Sequence, residues 1–331
     1  MARKAILLTR QDIAANIDIV AAVPAIEEAM GAFEKGEDYL PPKTILEIPV
    51  GDPGTAYAAC ITGYTKTTGL MTMKVGHERT HNGERGLPTT EAWVMVFEPE
   101  TGELLMMCDG TLPTMLRTAC AAAVGTKQLA REDAKVLSVI GAGQLGRQCL
   151  RAVSTVRDFE KIYLHDVVAE FAADVARELS AELAIPIEAA AAQTSCELAD
   201  VIVTATNSRA PIIKTSWVRT GTHLSCMGTD MAEKIECEMS LLPSCRIFAD
   251  KADHAILRGE VSQAVAAGIL GEDCYLGSLG QVINGDVPGR LSANDITMFD
   301  GVGIGIQDTT IARTIYDQAM AQGLGTRLAF S

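Results

Sequence analysis

Between residues 13 and 34, apolar side chains return with a helical period. Ile13, Ile17, Val20, Val23, Ile26, Met30 and Phe33 fall on one stripe, which predicts an amphipathic helix. Pro41 and Pro42 end that element and force an extended entry into residues 44–48. From there to residue 108 the texture is that of strands. Short apolar runs at 69–74 and 92–97 are separated by turn chemistry at 51–54, 81–83 and 99–102. Residues 112–130 predict a long alanine-rich helix capped by Thr111 or nearby Asp109.

After residue 134 the rhythm changes. Apolar runs at 136–140, 161–165, 199–204, 222–226 and 246–249 alternate with helical segments, which predicts a parallel sheet covered on both faces. The expected fold class is α/β: a Rossmann-type doubly wound sheet domain at 119–305, plus a β-rich, substrate-binding domain at 1–118. A last helix, about 308–322, is expected to return to the first domain, so that 306–331 belongs with it.

A length of 331 residues fits two domains, and 48% hydrophobic against 21% charged residues fits a globular chain with a sizeable core. The net charge of −14 disfavours nucleic acid and anionic membrane as partners. Nine cysteines with no C-x-x-C and no zinc-ligand spacing read as free thiols in a reducing cytosol, and no metal is expected. The start of the chain does not read as a signal peptide, and no apolar run approaches the roughly 18 residues of a membrane span. A cytoplasmic protein is expected.

Gly141-Ala-Gly143-Gln144-Leu145-Gly146 follows a predicted strand and opens a helix, the context that gives G-x-G-x-x-G its value. The first glycine makes the tight turn, the second lets backbone approach a diphosphate, and the third lets helix and strand pack closely. Asp166 ends the next strand, 166 − 146 = 20 residues later, where an acid accepts hydrogen bonds from an adenosine ribose. A carboxylate there repels a 2′-phosphate, and Val167-Val168 supplies no arginine to receive one, so NAD(H) is favoured over NADP(H).

Lys74 and Arg117 each sit in otherwise apolar sequence, where an unpaired charge is costly. They need an anionic partner, either an internal carboxylate or a ligand, and a substrate carboxylate is the economical choice. Lys43 follows the double proline. His77, Arg79 and His81 fit exposed loop residues as well as functional ones. Asp230 follows the strand 222–226, where ligands gather in open α/β sheets, although spacing alone fits a loop acid or helix cap slightly better.

Together these residues resemble the ornithine cyclodeaminase/mu-crystallin family over nearly the whole chain. The carrying pieces are the Lys74 segment, Asn82…Arg85-Gly-Leu-Pro-Thr89, Asp109-Gly…Arg117-Thr118 and Gly141–Gly146. Further on they are Gly228-Thr-Asp230…Lys234…Glu236, Gly289-Arg290 and Thr297-Met-Phe-Asp-Gly-Val-Gly…Gln307-Asp308. The resemblance implies a homodimer joined through the β-rich domain and a substrate carboxylate held by Lys43, Lys74 and Arg117, with Thr89 and Gly301 at the substrate. It places Thr118 near the cofactor diphosphate, adds Thr204, Ala205, Thr206, Met227, Lys234 and Gly303 to the expected cofactor set, and makes Asp230 the catalytic acid/base.

The chain departs from ornithine cyclodeaminase at Lys43, which replaces an arginine, at Ala58, which replaces a glutamate, and at Gly301, which replaces a serine. Its Gly-Thr-Asp and Phe-Asp-Gly-Val-Gly forms look more like the iminosuccinate reductase branch. The leading expectation is an NAD(H)-dependent imine reductase or amino-acid dehydrogenase, with Asp230 or Lys74 as proton donor. Two alternatives remain: a cyclodeaminase that forms proline from ornithine while recycling NAD internally, and a non-enzymatic ligand carrier like the crystallin.

Overall fold

The structure is a computed structural model that describes residues 3–36, 38–50 and 56–330. The first part of the chain forms β1 (Arg3–Leu8), α1 (Arg10–Ala14), α2 (Ile19–Phe33), β2 (Thr44–Glu47) and β3 (Ala56–Thr65). β4 (Leu70–Arg79), β5 (Thr90–Phe97), β6 (Leu104–Asp109) and α3 (Thr111–Leu129) follow. Next come β7 (Val136–Ile140), α4 (Gln144–Val153), β8 (Lys161–His165), α5 (Ala169–Leu183), β9 (Ile187–Ala189), α6 (Ala192–Leu198) and β10 (Val201–Thr204). The last part holds β11 (His223–Cys226), β12 (Cys245–Ala249), α7 (Ala252–Arg258), α8 (Ser262–Ala266), β13 (Tyr275–Ser278) and α9 (Leu279–Asn284). β14 (Ile296–Asp300), α10 (Gly305–Gln322) and β15 (Thr326–Phe330) complete it.

These elements form two compact units. One comprises Met1–Asp18, Ala32–Arg117 and Ile304–Ser331, the other Ile19–Gly31 and Thr118–Gly303. The first unit is a seven-stranded sheet in the order β15-β1-β6-β5-β4-β3-β2, antiparallel except between β1 and β6. α10 lies against β3 and β4. The close approach is made by glycine: a Cβ on Gly63 would stand 3.0 Å from the backbone of Gly305. Strand alternation buries Leu70, Thr72 and Lys74 on one face of β4, while Val75 looks outward.

The second unit is an eight-stranded parallel sheet in the order β13-β12-β14-β11-β10-β7-β8-β9. β10 and β11 are buried along their whole length, as a sheet with helices on both faces requires. Strand order reverses between β7 and β10, the switch point where such sheets bind ligands. No helix among the described residues is long and apolar enough to cross a membrane.

Several expectations are corrected. The helical stripe at 13–34 is two helices, because α1, capped at its start by Thr9, ends at Ala14, past which Asn16 bonds back to Asp12 O. Residues 19–31 of α2 group with the second unit, and Glu27 there accepts from Lys127 and Gln128 of α3. Asp109, rather than Thr111, caps α3 by accepting from Leu112 N, while the Thr111 hydroxyl accepts from Ala92 N. The turn at 51–54 lies outside the described residues.

Candidate active site

In the first unit, the last helix supplies what the cations need. Lys74 Nζ donates to Asp308 Oδ1 at 2.7 Å, and Arg117 Nε lies 3.3 Å from the same oxygen. Arg117 Nη1 donates to Gln307 Oε1. The side chains of Lys74, Arg117 and Asp308 are 5%, 9% and 3% exposed. An internal carboxylate is therefore present, which corrects the picture of two cations kept for a substrate alone. One carboxylate does not balance them, however, because Lys43 adds a third positive charge to the same field.

Burial, relieved by Asp308 and reinforced by Arg117 and Lys43, pushes the Lys74 ammonium down to about 8. Burial opposes the charge on Asp308 too, but Lys74, Arg117 and Lys43 hold its carboxyl below the usual carboxylate range. Asp308 Oδ2 and Arg117 Nε are buried without a hydrogen-bond partner. Buried polar atoms are nearly always satisfied, so a water or a polar ligand group is expected beside this pair.

The other candidates near β4 are not drawn into this cluster. Thr89 is exposed, and its carbonyl accepts from Arg79 N. Arg79 is spent on the carbonyls of Tyr57 and Glu78, His77 stands 3.7 Å from Glu91, and His81 bonds the exposed Glu84. Ala58 lies on β3 between Leu46 and His77 and brings no acid there.

In the second unit, β7 runs into the glycine turn and α4. Gly141 has φ +107°, and a Cβ on it would stand 2.6 Å from Ala205 O. A Cβ on Gly146 would overlap Gly141 O. Gly143 meets nothing within 4 Å, so its backbone is open to an approaching diphosphate. Asp166 Oδ2 accepts from Ala142 N at 2.9 Å and Oδ1 from Val168 N at 3.0 Å, which ties the acid to the turn. Gln144, exposed, and Leu145, half-buried, open α4. The residues present fit a dinucleotide.

Four of the residues expected at the cofactor also make internal hydrogen bonds. Thr204 and Thr206 both donate their hydroxyls to Glu236, and Gly303 N donates to Asp250 Oδ2 at 2.7 Å. Lys234 donates to Asp230 Oδ1 at 2.7 Å and to Asn207 Oδ1 at 3.3 Å, so it serves the proposed acid. Asp230 itself is half-exposed at 48%. Met227 is buried at the end of β11, and a Cβ on Gly301 would stand 2.6 Å from its Cε. Thr118 is buried beside Arg117 in α3.

Sequence reasoning missed Asp308, Gln307, Glu236 and Glu260 as working residues. A signal was present for the first two: Gln307-Asp308 ends the motif that begins at Thr297, and the structure buries it within residues 305–312 of α10.

A strand–glycine turn–helix with an acid at the end of the next strand defines a dinucleotide-binding protein of the Rossmann class. The chain belongs to the ornithine cyclodeaminase/mu-crystallin family, whose model matches residues 3–323. It is 34% identical over 319 residues to the iminosuccinate reductase of Paracoccus denitrificans, covering 96% of this chain and 98% of that one. An archaeal alanine dehydrogenase dimer with bound NAD superposes with a TM-score of 0.93 at 30% identity, covering 99% and 100% of the two chains. The Thermococcus litoralis Δ1-pyrroline-2-carboxylate reductase, solved with NADH and L-proline, gives 0.93 at 29% identity, covering 97% and 99%.

Proposed function

We propose that the protein reduces an imino acid to an amino acid with NADH. The observation that carries this reading is the buried Lys74–Arg117–Asp308 cluster. It holds two positive charges against one negative, in a chain that also carries a dinucleotide turn. Relatives that reduce iminosuccinate and pyrroline-2-carboxylate support it.

When bound, NADH supplies hydride to the imine carbon. Arg117, Lys74 and Lys43 hold the substrate carboxylate, Arg117 through its planar fork and the lysines as point charges. Asp230, kept beside Lys234, delivers the proton to nitrogen. Asp166 favours NADH over NADPH by repelling a 2′-phosphate. Lys74 and Arg117 against the single carboxylate of Asp308 leave a positive charge for a substrate carboxylate, and the likeness to an iminosuccinate reductase favours iminosuccinate, with aspartate as product.

Purified protein with NADH, ammonia and a panel of 2-oxo acids tests the reading. Oxaloacetate should show the highest kcat/KM. If no member of the panel drives NADH oxidation while NADH remains bound, the reading is withdrawn.

We also infer a homodimer through the first unit's sheet. Leu46, Val75 and Trp93 are 62%, 39% and 44% exposed and share one face of β2, β4 and β5. Sedimentation of Trp93→Asp against wild type tests this inference. A reducing cytosol is the proposed compartment, supported by nine free cysteines, among which Cys226 Sγ and Cys237 Sγ stand 4.0 Å apart unbonded.

A further inference from the structure

Beyond the carboxyl ends of β10, β11 and β14 lie three fully buried acids that the proposed chemistry does not use: Glu236, Glu260 and Asp300. No ion pair of the described residues reaches any of them. Instead they are stacked through backbone. Asp300 Oδ1 accepts from Glu260 N at 3.0 Å, and the Glu260 carboxylate accepts from Glu236 N at 3.0 Å and Cys237 N at 2.6 Å. Each acid thus fixes the main chain of the next. The fit is close: a Cβ on Gly259 would stand 2.4 Å from Asp300 Oδ2.

Glu236 ends the series, and its carboxylate joins two loops. On one side it accepts from Thr204 Oγ1, Thr206 N and Thr206 Oγ1; on the other it accepts from Gly228 N at 3.1 Å. The two backbone N–H partners can only donate, so the carboxyl accepts from both loops, and these bonds oppose the burial that pushes its pKa up. A Cβ on Gly228 would stand 2.2 Å from Thr206 O and 2.5 Å from Glu236 Oε1, so the two loops meet with the carboxylate filling the seam. Lys234 bridges the same two loops, from Asn207 on one to Asp230 on the other. Backbone bonds from Met227 N to Thr204 O and from Ile235 N to Ser208 O also join the loops, and Glu236 adds the side-chain seam next to the Asn207–Lys234–Asp230 bridge.

We propose that Glu236 is a positioning residue that sets the place of the Lys234–Asp230 pair by clamping the loop 204–208 to the loop 227–236. This rests on Asp230 acting as the proton donor in the proposed reduction. It asks nothing of Glu236 at the substrate itself.

Two variants test it in the full chain: Glu236→Gln, which sets an amide N–H₂ against a backbone donor, and Thr204→Val, which removes one donor at constant shape. Thr204→Ser is the conservative rescue. The first readout is independent of turnover: acetylation of Lys234 by an N-hydroxysuccinimide ester, followed by peptide mass spectrometry. Lys234 is buried, so wild type should react slowly, and both variants should react at least about tenfold faster, with Thr204→Ser close to wild type. The second readout is kinetic. In both variants kcat should fall at least about tenfold and the midpoint of its pH profile should move, while the NADH Kd stays within about threefold.

Wild-type labelling and wild-type kcat in both variants would overturn the proposal, as would a loss of NADH affinity that matches the loss of kcat. If Glu236→Gln fails to fold, Thr204→Val alone decides. If wild type turns over no imine but the variants expose Lys234, the imine reductase reading fails and the clamp stands.

Discussion

Asp308 Oδ1 accepts a hydrogen bond from Lys74 Nζ at 2.7 Å although 234 residues of chain separate them. The pair makes the charge of the anion site depend on pH, because the Lys74 ammonium is pushed down to about 8. Above that value the site loses a positive charge, and a bound carboxylate loses a partner. Affinity for succinate in the presence of NADH, measured by calorimetry, should weaken roughly tenfold between about pH 7 and about pH 9. Lys74→Met should bind weakly throughout and lose the dependence. A flat wild-type profile would remove Lys74 from the anion site.

Asp308→Asn leaves Lys74 and Arg117 buried without their counter-charge, which should cost about 3–5 kcal/mol of stability. Succinate should then raise the melting temperature more than it does in wild type, because the ligand supplies the missing anion. Arg117→Ala should weaken carboxylate affinity by about 1.5–3 kcal/mol and, because Arg117 is paired to Asp308, should lower the melting temperature as well. An Arg117→Ala protein of unchanged stability would show that the pairing carries no weight.

Burial raises the Asp300 carboxyl to about 7, while an unfolded aspartate titrates near 4. Between those values the folded chain keeps a proton that the unfolded chain has released. The contribution of Asp300 to stability therefore falls as pH rises from about 4 to about 7, and is constant outside that window. Asp300→Asn removes the effect, so its melting temperature relative to wild type should climb across that range. A difference that does not change with pH would mean that Asp300 is ionised throughout.

Asp166→Ser removes both the ribose acceptor and the repulsion of a 2′-phosphate, so the ratio of kcat/KM for NADPH over NADH should rise at least tenfold, about 1.4 kcal/mol or more. Because Asp166 also holds Ala142 N, NADH affinity should drop in the same variant. An unchanged ratio would refute the assignment.

Asp230→Asn keeps shape but loses proton exchange, so kcat should fall by about 10²–10⁴. NADH affinity should barely move. A near-wild-type kcat would leave Lys74 as the proton donor.

Legibility divides along sequence separation. Gly141, Gly143, Gly146 and Asp166 sit within one strand–helix–strand stretch, so local pattern is enough to read them. Lys74 and Arg117 stand out as charges in apolar runs, and their need of an anion follows from desolvation alone. That the anion is Asp308 does not follow, because α10 reaches β4 only through a tertiary fit that no local pattern encodes. The stack from Asp300 to Glu236 is hidden for a related reason. An acid's burial depends on which backbone N–H groups converge on it, and Glu260 and Glu236 meet theirs on loops of no regular period. The hydroxyls of Thr204 and Thr206 are half legible on the same ground: a strand end predicts where they lie but not that they bond Glu236.

The unit that begins with β1 is completed by α10 and β15, with the other unit's sequence lying between. At synthesis rates of about 5–20 residues per second, Asp308 follows Lys74 out of the ribosome by some 10–50 s. Through that interval Lys74 and Arg117 have no helix to close over them and must stay in water. The unbroken stretch from Thr118 to Gly303 can fold in the meantime. The nascent chain thus has its dinucleotide cradle before it has an anion site, and the part made first is the part finished last.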